Sequence, residues 1–343
     1  MPYLPMTDDR VLRHMPIVTL NTGRSFAAEP TVSILDAARA AGVALEYSCR
    51  TGRCGICKAP ALSGDTVPLR SEAESLSDAE IAQGLILTCC RGAVSNVVLD
   101  VEPLERLAGL KIRTIPSRIV SLELLAPKIM RVVLKTPPTS RLAFIPGQYI
   151  DVIVEGVRRS YSLANAPRED GLLELVIKYY SGGHLSAYWF GRAKENDLIR
   201  IEGPLGTFFF RDDVPQNITF LATGTGIAPV KALLEELATD PSRAARHHIR
   251  VFWGNREQES FCWDPVALRL DIGFHHLLSG PGRDWDGKRG YVQQAAIDDG
   301  FDAENTIVYA CGSSSMIASS RDLLVSKGLP TRRFFSDAFV ISN

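Results

Sequence analysis

Seven cysteines carry the densest chemistry in this 343-residue chain. Three of them fall in Cys49-Arg-Thr-Gly-Arg-Cys54-Gly-Ile-Cys57, a C-x4-C-x2-C run, and Cys89 follows 32 positions after Cys57. Four thiolates hold the two irons of a [2Fe–2S] cluster at this spacing, three of them converging from one tight loop. Gly52 and Gly55 permit unusual backbone angles there and let amide N–H groups approach the sulfurs. The competing readings are a zinc site or three buried structural cysteines, but no second C-x2-C pair or histidine partner for zinc follows. Cys90 competes with Cys89 for the fourth position. Adjacent residues in an extended segment point to opposite sides, so only one of the two is expected to ligate. Cys262 reads as a small buried hydrophobe.

A second constellation starts at Arg159-Ser160-Tyr161-Ser162, shortly after Pro146-Gly147-Gln148-Tyr149. Alone, R-x-Y-S reads equally well as an exposed strand with a turn. Downstream, Gly182-Gly183-His184-Leu185-Ser186 follows a strand pattern and opens a helix-like stretch. Glycines at such a point let backbone N–H groups reach a phosphate, and Ser186 adds a hydroxyl. An arginine, a flat aromatic and a phosphate loop together make a candidate flavin site.

The third constellation is Gly224-Thr225-Gly226-Ile-Ala-Pro229, placed between an apolar strand pattern and an amphipathic helix. It has the context of a dinucleotide fingerprint, with Pro229 where that fingerprint carries Gly or Ala. Proline suits a first helical turn, whose N–H groups have no intrahelical partner. A later apolar run ends in Cys311-Gly312-Ser313, at the carboxyl edge where α/β sheets bind ligands. Cys311 sits equally well as a buried core thiol. The pairs His247-His248 and His275-His276 have no metal-like companions.

Three blocks of pattern must position these residues. Up to about Pro103, short strands accompany a helix capped by Ser33, with Ile34, Leu35, Ala38 and Ala41 on one face and Gly42 at its end. Ser77-Asp-Ala-Glu80 is a capping box for a second short helix. The long irregular segment between them holds three of the cysteines, and such loops are commonly functional. From about Leu104 to Phe210 the pattern is strands, among them Lys128–Lys135, Gln148–Val154, Leu172–Tyr179 and Leu198–Glu202, with one helical stretch at Leu185–Phe190. This predicts an antiparallel β-barrel. From Arg211 onward, strands at Ile218–Ala222, His248–Trp253, Thr306–Tyr309 and Arg333–Phe335 alternate with helices, including one at Met316–Lys327. This predicts an α/β doubly wound parallel sheet. The expected domains are therefore 1–104, 105–210 and 211–343.

Composition bounds the function classes. The chain is 45% hydrophobic and 22% charged, and 38 Lys+Arg against 39 Asp+Glu leave a formal charge of −1. A near-neutral balance supplies no bulk attraction to nucleic acid or acidic lipid. No run of about 18 apolar residues appears, so no membrane span is expected. Residues 1–29 include Asp8, Asp9, Arg10, Arg13, His14 and Arg24, without the apolar stretch of a signal peptide. An odd cysteine count is a poor disulfide framework, and reduced thiols predict a cytoplasmic protein.

In this order, the signatures resemble the ferredoxin–NAD(P) reductase superfamily, in the form with a plant-type [2Fe–2S] ferredoxin domain fused at the N-terminus. The likeness runs from about Ile17 to the end. It implies a multidomain protein whose first domain is an α+β β-grasp fold. It favours Cys89 in Leu87-Thr-Cys89 as the fourth metal ligand with Cys49, Cys54 and Cys57. It implies that Arg159 holds the flavin phosphate region, that Tyr161 packs on the flavin ring and that Ser162 hydrogen-bonds near its N5. Gly182, Gly183 and Ser186 would hold the pyrophosphate of FAD, and Gly224, Thr225 and Gly226 that of NAD(P)H. Cys311 and Gly312 would lie beside the nicotinamide, and Phe339 against the flavin, although a terminal Phe also serves as an apolar anchor.

Such a chain takes two electrons at once from NADH through FAD and releases them singly through the cluster. NADPH is the alternative donor: Arg256, after the second strand of the last block, could accept a 2′-phosphate. The finer wording of Leu87–Cys90, Arg158–Pro167, Ile201–Phe209, Val308–Ser313 and Phe334–Val340 resembles reductases of dideoxysugar biosynthesis. Their implied partner is a pyridoxamine-dependent iron–sulfur dehydrase acting on a CDP-sugar. Reductase components of ring-hydroxylating dioxygenases, which feed a Rieske oxygenase, share most of these motifs. In either case an iron–sulfur acceptor protein would dock near the cluster loop, where Arg50 and Arg53 either steer it or simply fold the loop. A non-catalytic redox sensor would need neither the flavin nor the nicotinamide site.

Overall fold

The computed structural model describes residues 15–72, 75–212, 214–280 and 285–339. Residues 1–14, on which much of the signal-peptide reading rests, and Val340 of the last motif lie outside them. The chain divides into two compact units, Met1–Glu46 with Arg50–Ala108, and Tyr47–Cys49 with Gly109–Asn343.

In the first unit a five-stranded mixed sheet runs in the order Ser25–Ala27, Ile17–Leu20, Val97–Leu99, Lys58–Ser63, Leu85–Leu87. Ile17–Leu20 pairs parallel with Val97–Leu99, and the other neighbours are antiparallel. The helix Ile34–Ala40 starts where the sequence predicts, with Ser33 Oγ accepting the Asp36 amide at 3.1 Å. It buries Ile34, Leu35, Ala37 and Ala38. The Ser77 capping box also forms, at the start of Asp78–Ala82. Between Ala41 and Lys58 the chain makes no regular element. Left-handed backbone at Gly52 (φ 82°) and Gly55 (φ 71°) shapes this segment, a conformation glycine adopts at little cost.

The second unit holds two six-stranded sheets. One is antiparallel throughout, in the order Val157–Ser162, Tyr149–Val154, Leu198–Leu205, Arg113–Ala126, Ile129–Lys135, Leu172–Lys178. A bridge from Leu163 to Leu175 links the two edge strands. Ile119, Ile150, Leu175, Ile201 and Trp189 fill the core this sheet encloses. Leu185–Phe190 takes the form of a short helix, His184–Ala187, running into a wider turn at Tyr188–Arg192.

The other sheet is parallel, in the order Lys288–Arg289, Ile272–Leu278, His248–Asn255, Asn217–Thr223, Thr306–Ser313, Phe334–Phe339. Its strand order reverses direction at Asn217–Thr223. Successive strands step one way to Ile272–Leu278 and Lys288–Arg289, and the chain then returns to the other side of Asn217–Thr223. Open parallel sheets bind ligands at the carboxyl ends of the strands beside such a reversal. The strand Ile272–Leu278 and the helix Val292–Asp298 were not resolved by the sequence pattern. Among the described residues no helix is long and apolar enough to cross a membrane.

A buried ionic network ties the helix Ile227–Ala238 to the antiparallel sheet. Lys231 Nζ lies 3.1 Å from Glu174, 2.7 Å from Glu235 and 2.8 Å from the Ala164 carbonyl. Arg131 and Arg168 complete the charge balance around Glu174. Lys231, Glu174, Arg131 and Arg168, with Cys262 and Trp263, line a cavity of about 280 Å³. Removing one partner of a buried pair typically costs about 3–5 kcal/mol, because its counter-charges stay buried. Lys231→Met is therefore expected to lower the urea midpoint of this unit, followed by flavin fluorescence, more than Lys128→Met. Lys128 bridges Glu257 at 3.4 Å with both side chains exposed, and equal effects would show that the buried network carries no special weight.

Candidate functional site: cluster loop, flavin strand and dinucleotide turn

Within the first unit, Cys89 is the centre of a sulfur cluster. Cys57 and Cys89 are within hydrogen-bond reach, and the Gly52 amide also donates to Cys89. Hydrogen bonding from Cys57 and then Cys90 shifts the Cys89 thiol down, while hydrogen bonding to Cys89 and burial shift Cys57 and Cys90 up. Among the described residues no three Cys, His, Asp or Glu side chains close around a single metal point. A two-iron cluster instead spreads four thiolates over two metals, and the close approach of Cys57 and Cys89 is compatible with two of them. Cys54 is half-buried in the same loop.

The expectation that Cys89 and Cys90 face opposite sides fails. Their Sγ atoms are 3.5 Å apart and both are buried. The reason is local: the Cys90 amide donates to the Leu87 carbonyl at 2.8 Å, so the chain turns there and alternation does not apply.

Cys49 belongs to the second unit, with Tyr47 and Ser48. Ser48 Oγ donates to Asp337 Oδ1 at 2.6 Å, and Ser162 Oγ lies 3.4 Å from Asp337 Oδ2. The Tyr149 hydroxyl fixes the Ser48 carbonyl at 2.7 Å. Burial pushes the Asp337 carboxyl up to about 6, against the lowering effect of the two serine hydroxyls. Sequence reading missed Asp337. It was visible only as a charged residue inside an apolar C-terminal strand, Phe334-Phe-Ser-Asp337-Ala-Phe339.

Arg159, Tyr161 and Ser162 lie on the edge strand Val157–Ser162 and pair with Val152, Ile150 and Tyr149. Tyr161 Oη accepts from Trp189 Nε1 at 3.2 Å, the rings meeting edge to face. Burial raises the phenol to about 12, so it stays neutral across the physiological range. Gly182 has φ 77°, and a Cβ there would meet nothing within 4 Å, which leaves its backbone open to a ligand. Gly183 begins the helix His184–Ala187. Ser186 turns back onto this loop and its Oγ accepts the Tyr180 amide at 3.0 Å, so the hydroxyl hydrogen is the part left to donate.

Gly224–Gly226 forms a single tight turn at the carboxyl end of Asn217–Thr223, where the parallel sheet reverses. Gly224 has φ 56° and faces open space, which suits the approach of a phosphate to its amide. Trp253 Nε1 donates to its carbonyl at 2.8 Å. Gly226 is there for a different reason: a Cβ would stand 2.2 Å from the Cys311 carbonyl oxygen. A Cβ on Gly312 (φ 146°) would stand 2.1 Å from Thr223 Oγ1. Thr223, which the motif reading passed over, thus stitches the two strand ends together. Pro229 falls in the first turn of Ile227–Ala238, where its missing N–H costs nothing. Cys311 is fully buried and its thiol is pushed well up by desolvation. Phe339 ends its strand half-buried, paired with Ser313. Arg256 is exposed just beyond His248–Asn255. Cys262 is half-buried, less enclosed than expected.

Three family models match the chain in series: a 2Fe-2S iron-sulfur cluster binding domain over residues 18–93, an oxidoreductase FAD-binding domain over 116–210 and an oxidoreductase NAD-binding domain over 220–322. The CDP-6-deoxy-L-threo-D-glycero-4-hexulose-3-dehydrase reductase of Yersinia pestis is 39% identical over 326 residues, covering 94% of this chain and 97% of that protein. The terephthalate 1,2-dioxygenase reductase component 1 of a Comamonas species is 29% identical, covering 93% and 95%. Among solved structures, the cytochrome P450 reductase GcoB of Amycolatopsis matches with a TM-score of 0.76 at 26% identity, over 96% of this chain and all of that one. With the cysteine loop, the flavin strand and the dinucleotide turn in that same order, the chain belongs to the three-domain iron–sulfur flavoprotein reductases, which are NAD(P)H-dependent electron-transfer enzymes built on [2Fe–2S], FAD and NAD(P)H.

Proposed function

We propose that this reductase takes electrons from NADH and delivers them, through FAD and the cluster, to the iron–sulfur dehydrase of CDP-3,6-dideoxysugar synthesis. The observation that carries this is the gap between 39% identity to a dehydrase reductase and 29% to a dioxygenase reductase, at nearly equal coverage. The alternative acceptor is a Rieske-type oxygenase. On this reading the work is done in a reducing cytoplasm.

The finer architecture is part of the proposal. Residues 1–104 form a β-grasp ferredoxin domain, 105–210 a flavin barrel closed by the Leu163–Leu175 bridge, and 211–343 a doubly wound nicotinamide domain. Cys49, Cys54, Cys57 and Cys89 hold the cluster. Arg159, Tyr161, Ser162, Gly182, Gly183 and Ser186 bind FAD. Gly224, Thr225, Gly226, Cys311 and Gly312 bind the dinucleotide, with Phe339 near the flavin. When bound, the flavin supplies conversion between two-electron and one-electron transfer. The chain's own residues supply placement. Trp189 orients the Tyr161 hydroxyl, Asp337 holds the Ser162 hydroxyl, and Tyr161 stays neutral against the ring. Arg50 and Arg53 give the cluster loop a basic rim that steers an acidic partner into a weak, transient encounter.

The test is anaerobic. NADH should bleach the flavin and cluster bands together, and a reduced flavin beside an oxidised cluster overturns the electron path. Rates measured side by side with a purified dehydrase and its CDP-sugar, and with a Rieske oxygenase, then choose the acceptor. Faster delivery to the oxygenase overturns the dehydrase assignment.

A further inference from the structure

The reading of Cys89 as fourth ligand leaves a buried thiol unexplained beside it. Cys90 Sγ lies 3.5 Å from Cys89 Sγ, and its other neighbour in reach is the Ser71 carbonyl at 3.9 Å. A thiol is a weak donor, but a thiolate acceptor carrying charge strengthens the bond. Space is kept for this sulfur by Gly52, whose φ of 82° no larger residue adopts easily, and where a Cβ would stand 2.7 Å from Cys90 Sγ. The turn closed by the Cys90 amide on Leu87 brings the two sulfurs to one side. The Gly52 amide approaches Cys89 as well, so Cys90 stands beside one loop amide at the same sulfur.

We infer that Cys90 is a positioning residue for the cluster: its S–H donates a hydrogen bond to the ligand sulfur of Cys89 and holds the cluster at a higher reduction potential than the loop amides alone would give. Hydrogen bonds to ligand sulfurs delocalise the negative charge added on reduction, and so favour the reduced state. A raised potential eases the step that carries an electron from flavin to cluster. The inference rests on Cys89, and not Cys90, being the ligand.

The experiment compares full-length holoprotein with Cys90→Ala, Cys90→Ser and Cys89→Ala. Iron content, visible absorbance and the midpoint potential from a dye-mediated titration followed by electron paramagnetic resonance are measured on each. The expected result is an intact cluster in both Cys90 variants. The midpoint should shift to lower potential in Cys90→Ala and lie closer to wild type in Cys90→Ser, whose hydroxyl still donates. An intact cluster with an unmoved midpoint in Cys90→Ala overturns the hydrogen bond while leaving the ligand assignment standing. Cluster loss in Cys90→Ala with retention in Cys89→Ala overturns the ligand assignment itself. Cluster loss from both Cys90 variants and from Cys89→Ala also overturns the inference, because a donor that only tunes potential is dispensable for assembly.

Discussion

Alanine at Gly226 is expected to cripple the donor half of the reaction. The added methyl group would stand 2.2 Å from the Cys311 carbonyl oxygen and 2.7 Å from its carbon. Both are backbone atoms in the middle of a paired strand, so no rotamer change relieves the contact. Either the dinucleotide turn or the end of Thr306–Ser313 must move. A displacement of about 1 Å at a reacting centre costs on the order of 100-fold in rate. We therefore expect kcat/KM for NADH, measured with ferricyanide as acceptor, to fall by about that factor or more in Gly226→Ala. Gly224→Ala is the control. Its methyl group meets nothing within 4 Å, and its penalty is the left-handed φ of 56°, worth roughly 1–2 kcal/mol. If Gly226→Ala matches wild type, the close approach of turn and strand is wrong.

Serine at Cys89 should separate the two ends of the electron path. With Cys89 as the proposed fourth ligand, Cys89→Ser takes a thiolate from the cluster, so visible cluster absorbance and delivery to a protein acceptor are expected to disappear. NADH oxidation by ferricyanide, which can draw on the flavin directly, should persist near its original rate, because no flavin or dinucleotide residue is touched. Cys90→Ser should keep the cluster. The reverse outcome for these two variants would reassign the fourth ligand, and loss of ferricyanide activity in Cys89→Ser would mean that the substitution damages more than the cluster site.

The cysteine run, the R-x-Y-S strand and the glycine turn were legible because each couples a residue type to a fixed spacing along one short segment. Ser33 and Ser77 marked helix starts for the same reason, since a cap acts within three residues. What stayed hidden depends on segments distant in sequence. Asp337 meets Ser48 and Ser162 across 289 and 175 positions, and no local pattern announces that. Thr223 gains its role only when Gly312 arrives beside it. The strand Ile272–Leu278 contains Gly273, His275 and His276 and so lacks clean alternation. Those histidines are accounted for by packing: His275 stacks on Phe252 at 4.8 Å, and His276 tilts against Phe261 at 4.4 Å. At Cys89 and Cys90 the alternation rule itself was misapplied, since it holds for strands and the chain there is a turn.

The Lys231 network fixes a distance within the second unit. Lys231 sits five residues past Gly226 and grips the Ala164 carbonyl two residues past Ser162. The helix after the dinucleotide turn and the segment after the R-x-Y-S strand are thereby clamped to one another, with Glu235 adding bonds to the Ala166 amide and to Arg168. The spacing between these two segments is then a property of the second unit's own scaffold. On the proposed reading, a change of acceptor calls for changes on the surface around the cluster loop and leaves this clamp untouched.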